Sequence, residues 1–509
     1  MEPSQDGGQI EQKNSGNNFM SWNVLDNECF DTLLNNPSFS ITEHGPLCGP
    51  ITRFEVRRDE NQKLLLTTHS QENSTRNITQ FPESIAGTVR ANNDCVTLSN
   101  GRMTAIAKGV LSFSTHSKTN YIADTFDKEE TASLHSIDCM PADMGEVHYQ
   151  IEWVNNIDTS FYILPHLWKE EQKTSITRTL RGGEEPLIQH MTNNSGYNSR
   201  GCLRLKIAEH EIYIGLSPSH QEVTPRGSGF ILYREFVPED VRQKIRNCLS
   251  FAFGLPLIYA GYTLLSSDFH VKGFRAVTPY SFDGKAYTLH AQPAAPVSEK
   301  SSNFIDAAVF SKTVNALFHR YDELNLSHID WLYWHARCAP LHIIAVHLGA
   351  CIEAIQTSYR KLYPNKYKTQ LLEAVAAKSL HKEYLKLVEA MTINDSEKEA
   401  LRQKASSLNE TPQSLRNERF FDSLSLQMAK PEKDAWKRRN DAAHGNKTEV
   451  DDYEQLIRDI KLLTNILHRV VLTTGQVSEQ YIDYYSLMYP IRRVNESVEA
   501  PNNGKFFAL

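Results

Sequence analysis

The chain contains 509 residues, with 54 Lys and Arg against 61 Asp and Glu, for a net charge of −7. This length predicts two or three folding units, and 40% hydrophobic with 23% charged residues exclude a largely disordered chain. Residues 303–509 carry 27 basic and 26 acidic side chains, which leaves 27 and 35, a balance of −8, for residues 1–302. The charge therefore excludes a basic nucleic-acid coat protein and directs any chemistry on a polyanion to the second part.

The N-terminus and the cysteines indicate the compartment. Residues 1–20 are polar and acidic, which predicts a disordered segment, and they lack the basic-then-apolar order of a secretory signal. None of the eight cysteines forms a CxxC pair, so their spacing predicts neither a zinc ribbon nor a disulfide framework. We expect a cytoplasmic protein with reduced cysteines and with neither a metal nor a cofactor.

Residues 247–267 form an uncharged run long enough to span a bilayer. Gly254 and Pro256 interrupt this run, and the acidic residues that follow Pro238 are typical of a helix start. We predict a helix that ends near residue 253, then a buried strand, and no membrane contact.

From about residue 50 to residue 290 the dominant signal is period-two alternation of apolar and polar side chains, within a predicted β-rich domain over residues 21–290. The segments 148–154 (HYQIEWV) and 210–216 (HEIYIGL) are examples. Asn100-Gly101 and Asp283-Gly284 are typical of two-residue hairpins, whose turns need positive φ. We predict an antiparallel β-rich domain, a sandwich or a barrel, with one inserted helix. Its acidic balance favours a recognition or regulatory role toward a protein partner.

Residues 291–302 (AQPAAPVSEKSS) have the composition of a linker, and residues 303–509 then show a helical period. A long helix is predicted to begin at Asp451 and to stop at Gly475, with Pro340 dividing an earlier one. The other predicted helices span 303–323, 327–362, 366–391 and 431–443. The fold class is multidomain α+β, a β-rich domain followed by an all-α bundle.

Residues 430–447 (KPEKDAWKRRNDAAHGNK) carry six basic and three acidic side chains. On a regular helix Asn440 and His444 share a face, whereas Arg439 lies about 140° around the axis. An arginine, an amide and a histidine suit a phosphodiester, because the arginine binds the anion and the histidine moves protons near neutral pH. The R-x4-H spacing also occurs from Arg337 to His342, so the residues alone leave open a solvated helix end or an active site.

The Arg-Asn-x-x-x-His motif at 439–444, before a last amphipathic helix, resembles that of the HEPN domain. A β-rich N-terminal domain joined to such a helical region resembles the ApeA-type anti-phage proteins. This resemblance implies a metal-independent endoribonuclease, with tRNA among the expected targets, that acts as a toxin in abortive infection. The products would be a 2′,3′-cyclic phosphate and a 5′-hydroxyl.

The resemblance also implies roles for individual residues. Arg439 would bind the scissile phosphate, His444 would be the general acid or base, and Asn440 would orient either of them. Glu353 would be the acidic residue that an earlier helix supplies. The RNA-binding residues would be Lys437, Arg438 and Lys447. A homodimer through the C-terminal helical domain would combine two motifs, and the N-terminal domain would sense a phage-encoded trigger or inhibitor protein.

Two other functions compete with the ribonuclease. The first is a non-catalytic sensor or scaffold whose helical domain dimerises or binds RNA or protein. The second is a metal hydrolase built on His335, Cys338 and His342, which would share one helix face. Pro340 disturbs that face, and the neighbouring tryptophans favour a packed helix surface instead.

Overall fold

The structure is a computed structural model of the 509-residue chain. It describes residues 23–47, 50–73, 95–120, 125–143, 145–157, 164–169, 172–179, 186–194, 198–216, 227–298, 304–443 and 453–498. The predicted disordered segment, residues 1–20, lies outside the described residues. The chain divides into two compact units, and residues 247–254, 292–298 and those from 312 onward form the second.

Unit 1 is built from antiparallel β-sheets, as the alternation predicts. Over the described residues of both units the strands are β1 (Ser40–Glu43), β2 (Ile51–Arg58), β3 (Leu64–Asn73), β4 (Cys95–Ser99), β5 (Met103–Lys108), β6 (Leu111–Asn120), β7 (Thr125–Leu134), β8 (Ser136–Pro141), β9 (Tyr149–Asn155), β10 (His166–Lys169), β11 (Gln172–Thr179), β12 (Pro186–Asn194), β13 (Asn198–Ile207), β14 (His210–Leu216), β15 (Ser228–Tyr233), β16 (Ile258–Leu265), β17 (Val271–Val277), β18 (Gln480–Ile482) and β19 (Ile491–Arg493).

Two larger sheets share one core in unit 1. The strand order is β1-β4-β5-β8-β17-β16-β9-β15-β14-β13-β10 in the first sheet and β2-β3-β7-β6 in the second, beside a β11–β12 pair. One buried apolar cluster draws on both sheets and on helix α1 (Asn27–Leu33), and it includes Phe30, Leu66 and Trp153. The large sheet has edges at β1 and β10, so the arrangement over the described residues is layered rather than a closed barrel.

The two predicted hairpin turns have different outcomes. Asn100-Gly101 connects the paired strands β4 and β5, with φ of 81° at Gly101, which confirms the first. The second is wrong: Asp283 and Gly284 have φ of 55° and 81° but lead into a 3₁₀ helix over Lys285–Thr288. Turn residues set only the local backbone, and the segments that flank Asp283 find no strand partners in each other.

Strand β9 also departs from its pattern, because both of its faces are buried. Glu152 is fully buried although alternation places it on the polar face. Its carboxylate forms an ion pair with Arg246 and accepts a hydrogen bond of 3.2 Å from the hydroxyl of Tyr233. Because these partners replace water, the polar face of β9 can be covered.

Helices dominate unit 2, and the first two helices after α1 begin in unit 1. The described helices after α1 are α2 (Glu239–Phe253), α3 (Ala307–Arg320), α4 (Leu326–Cys338), α5 (Leu341–Leu362), α6 (Ala374–Ala390), α7 (Asp395–Ala405), α8 (Gln413–Ser423), α9 (Lys430–Ala443) and α10 (Tyr453–Thr474). Pro340 separates α4 from α5, and Gly475 follows α10, as predicted. Helices α7 and α8 and the β18–β19 pair were not predicted. The architecture is an antiparallel β-rich region followed by a helical region.

The uncharged run 247–267 folds as predicted into the end of α2 and the buried strand β16. Within unit 2, the ring of Phe251 at the end of α2 lies 6.0 Å from the rings of both Tyr333 and His468. Among the described residues one helix, α5, is long and apolar enough to cross a membrane by length and composition. This helix contacts α4 and α10 within unit 2.

The segment predicted as a linker is held in place over its described part. Arg337 donates a hydrogen bond to the side chain of Gln292. The hydroxyl of Tyr484 donates to the carbonyl of Pro293 at 3.0 Å, and the backbone N–H of Ile482 donates to the carbonyl of Ala294 at 3.1 Å. Residues 292–298 are therefore a structural part of unit 2.

Candidate functional site

The basic helix α9 is anchored at its first turn by a buried ion pair. Glu432 and Arg469 of α10 are both fully buried, and their Oε1 and Nη1 atoms lie 2.6 Å apart. The other Glu432 oxygen accepts the backbone N–H of Ala429 at 2.7 Å. Burial raises the pKa of the Glu432 carboxyl, and the neighbouring guanidinium opposes this shift. The pair fixes α9 against α10, and so fixes the residues further along α9.

Arg439 lies on the side of α9 that faces α5. Its side chain is only 7% exposed, and Nη2 donates a hydrogen bond of 2.9 Å to Oε1 of Glu353. Its Cζ atom lies 4.1 Å from the centre of the Trp436 ring, one turn earlier on the same helix, in a cation–π contact. The structure thus brings together Arg439 and Glu353, two of the residues selected from the sequence.

Gly349 of α5 makes this close approach possible. It lies one turn before Glu353, and it has no side chain where the Arg439 guanidinium packs. A Cβ atom at position 349 would lie 2.8 Å from Cζ of Arg439 and would overlap Cδ and Nη1. Arg439 therefore lies between Gly349 on α5 and the ring of Trp436 on its own helix, α9.

The two residues before Arg439 have different surroundings. The guanidinium of Arg438 binds both carboxylate oxygens of Asp459, through Nε at 2.7 Å and Nη2 at 2.6 Å. This hydrogen bonding raises the pKa of Arg438. The side chain of Lys437 is exposed. Of the predicted RNA-binding residues, Arg438 is therefore engaged by an acid of α10, whereas Lys437 extends into solvent.

Three predicted site residues cannot be compared with this geometry. Asn440 lies in the last turn of α9, but its side chain is outside the description. His444 and Lys447 lie outside the described residues, which stop at 443 and resume at 453. Their roles stay predictions.

The alternative metal site does not form. Among the described residues no group of three or more His, Cys, Asp or Glu side chains could hold a metal ion. The Nδ1 atom of His335 lies 2.7 Å from the carbonyl of Trp331, and its ring packs on that indole. Cys338 ends α4 and is buried, while His342 lies in the first turn of a separate helix, α5, beside Tyr453. The break at Pro340 destroys the shared face that the spacing suggested.

Sequence reasoning missed Gly349 and did not assign a role to Trp436. A signal for the first existed, because a glycine inside an apolar helix costs about 1 kcal/mol relative to alanine and needs a packing reason. For Trp436, the spacing to Arg439 is i, i+3, at which helix side chains meet.

The anchored arginine can present a fixed positive charge, with Glu353 as its present counter-ion. A phosphate oxygen would have to compete with this carboxylate, or share the guanidinium with it. No protein-family model, no curated protein and no solved structure matches the chain. The fold therefore defines the class only as an α+β protein, a β-rich region followed by a helical one.

Proposed function

We propose that this protein is a metal-independent endoribonuclease of HEPN type, which acts in anti-phage defence. The observation that carries the proposal is the held arginine, a buried cation with a fixed orientation at the start of the Arg-Asn-x-x-x-His motif. An arginine positioned before substrate arrives can stabilise charge on a phosphate in the transition state without reorganisation.

In the proposed reaction the 2′-hydroxyl of RNA attacks the adjacent phosphorus. A 2′-O–P bond forms, the P–O5′ bond breaks, and the products are a 2′,3′-cyclic phosphate and a 5′-hydroxyl. His444 removes the 2′-OH proton, and a second acid gives a proton to the leaving 5′ oxygen. In a two-fold dimer through the helical domains, His444 of the partner subunit would supply that acid. Arg439 would bind the phosphate, and Asn440 would orient it.

Cleavage of total tRNA by the full-length protein in excess EDTA tests this function. We expect fragments that end in cyclic phosphate, and a loss of at least about 100-fold in rate for His444→Ala, as is typical for loss of a general acid or base. His342→Ala is the matched control, because it removes an exposed histidine from the other R-x4-H segment. Equal cutting by the native protein and His444→Ala would refute the assignment.

A second candidate function is favoured by one observation, the low exposure of Arg439 and its neutralisation by Glu353. Such an arginine also suits a structural role, in a helical domain that binds RNA or protein without cutting it. Lys437→Ala should then weaken RNA binding, and it should reduce the slope of the logarithm of the binding constant against the logarithm of the salt concentration by about one. His444→Ala should change neither the affinity nor this slope. Arg438→Ala should have a smaller effect on the salt dependence, because Asp459 already compensates its charge.

We further propose that the β-rich unit regulates the helical unit and senses a phage-encoded protein trigger or inhibitor. The acidic balance of residues 1–302 supports a protein rather than a nucleic acid as its ligand.

A further inference from the structure

A groove beside Trp436 is not used by the proposed chemistry. It has a volume of about 510 Å³ and lies between α8 and the start of α9, with the intervening residues 425–428 along its wall. This volume is within the range of small-molecule sites, about 300–1,000 Å³. The groove is open to solvent and large enough for a planar heterocycle.

Its lining includes two aromatic side chains that belong to the core. Phe421 is 5% exposed and Trp436 is 9% exposed. Their rings meet edge to face, at 5.7 Å between centres and 88° between planes. The same indole contacts the guanidinium of Arg439. The groove is therefore separated from the held arginine by a single side chain.

The polar side chains of the groove include two carboxylates. Glu418 and Asp422 lie one turn apart on α8, both exposed, and neither carboxylate has an ion pair or hydrogen bond within the described part of the chain. Lys433 lies on the α9 side. The buried Nε1 atom of Trp436 has no hydrogen-bond partner among the described residues. The groove thus offers two unused carboxylate acceptors beside aromatic rings.

We propose that this groove binds one unpaired guanine base of the RNA whose phosphate Arg439 engages. Guanine is the base with two parallel donors on its Watson–Crick edge, N1–H and N2–H, and one carboxylate accepts both. Unpaired bases are commonly held against aromatic side chains and read on that edge. The carboxylates also repel phosphate, so the groove accepts a base while the backbone remains on the Arg439 side. This inference rests on the proposed function and adds the base preference of the same site.

The test measures binding of 2′-O-methylated pentanucleotides, which cannot be cleaved by 2′-OH attack, to the full-length protein. The sequences are UUGUU, UUAUU and UUUUU. We expect the guanine oligonucleotide to bind about tenfold more tightly than the others, which corresponds to one bidentate base contact. Of the two variants Glu418→Gln and Asp422→Asn, the one that removes the carboxylate that reads the base should reduce that preference to within twofold. Glu383→Gln, an exposed acid of α6, is the matched control and should preserve the preference.

The possible outcomes separate the groove from the ribonuclease. A guanine preference that the groove variants abolish supports the groove, even if native protein cuts no RNA, in which case only the proposed function fails. Equal binding of the three sequences, or a preference that both variants retain, overturns the groove whether or not RNA is cut. Binding of an arginine-rich peptide instead of RNA, lost in Asp422→Asn, would also overturn it and would assign the carboxylates to a cationic protein partner. A failure of both ligands to bind refutes the inference outright.

Discussion

Gly349→Ala tests whether the packing of Arg439 is as tight as the structure indicates. On an ordinary helix this change adds stability of about 1 kcal/mol. Here the new Cβ would overlap the arginine side chain, so the guanidinium must move. It would lose a charge-assisted hydrogen bond to Glu353, which typically contributes about 1.5–3 kcal/mol. It would also lose the contact with Trp436, which contributes about 0.5–2 kcal/mol.

The gain from the higher helix propensity of alanine opposes the loss of the Arg439 contacts with Glu353 and Trp436, and the loss is larger. The side chain of Glu353 is 37% exposed, so solvent weakens its hydrogen bond to Arg439, which should contribute about 1.5 kcal/mol. We expect a net destabilisation of about 1–2 kcal/mol. The measurement is denaturant unfolding followed by helical circular dichroism, which reports mainly on unit 2.

A second background makes the test decisive. In Arg439→Ala the obstructing side chain is absent, so Gly349→Ala should now stabilise the protein by up to about 1 kcal/mol. The sign of the glycine effect therefore reverses between the two backgrounds, which a double-mutant cycle detects directly. An effect of the same sign in both backgrounds would refute the close packing of Arg439 on α5.

The other predictions concern unit 2. Glu432→Gln should destabilise it by about 3 kcal/mol, because it leaves Arg469 buried without its counter-ion. The control is Glu454→Gln, at an exposed ion pair, which should change the free energy of unfolding by less than about 0.5 kcal/mol. Similar losses of stability in the two variants would contradict the anchoring role of the buried pair. Burial lowers the pKa of His468 to about 3, whereas an exposed histidine has a pKa of about 6.5. When the pH is lowered below about 6.5, the histidine of the unfolded chain gains a proton and the buried one does not. The free energy of unfolding should therefore decrease as the pH is lowered, by about 2 kcal/mol at pH 5. Unfolding midpoints between pH 7 and 5 should show a shallower fall in His468→Phe, and an unchanged slope would contradict a buried neutral imidazole.

The sequence predicts the order of elements better than their surroundings. The apolar stripe of α10 and its stop at Gly475 follow from spacing and backbone preference, which are local. The same stripe does not reveal that His468 and Arg469 are also buried, because their partners lie in α4 and α9. Likewise, alternation locates β9 but not the partners that allow Glu152 to be buried.

The candidate site shows the same limit. The motif directs attention to Arg439, and the resemblance supplies Glu353, but residue spacing offers no reason for these two to meet. Their contact depends on the crossing of α5 and α9, and that crossing is close because Gly349 lacks a side chain. The groove beside Trp436 depends on the placement of α8, a helix that the sequence pattern did not reveal.

The assignment of residues 247–254 to unit 2 has a consequence for synthesis of the chain. Phe251 leaves the ribosome well before Tyr333 and long before His468, the aromatic partners that it meets in the folded protein. Until α10 has been translated, the end of α2 presents apolar side chains with no core to enter, a condition in which nascent chains engage chaperones or aggregate. A fragment truncated after the β-rich region would keep that surface permanently, so we expect it to need a detergent, a chaperone or the missing helices supplied in trans to remain in solution.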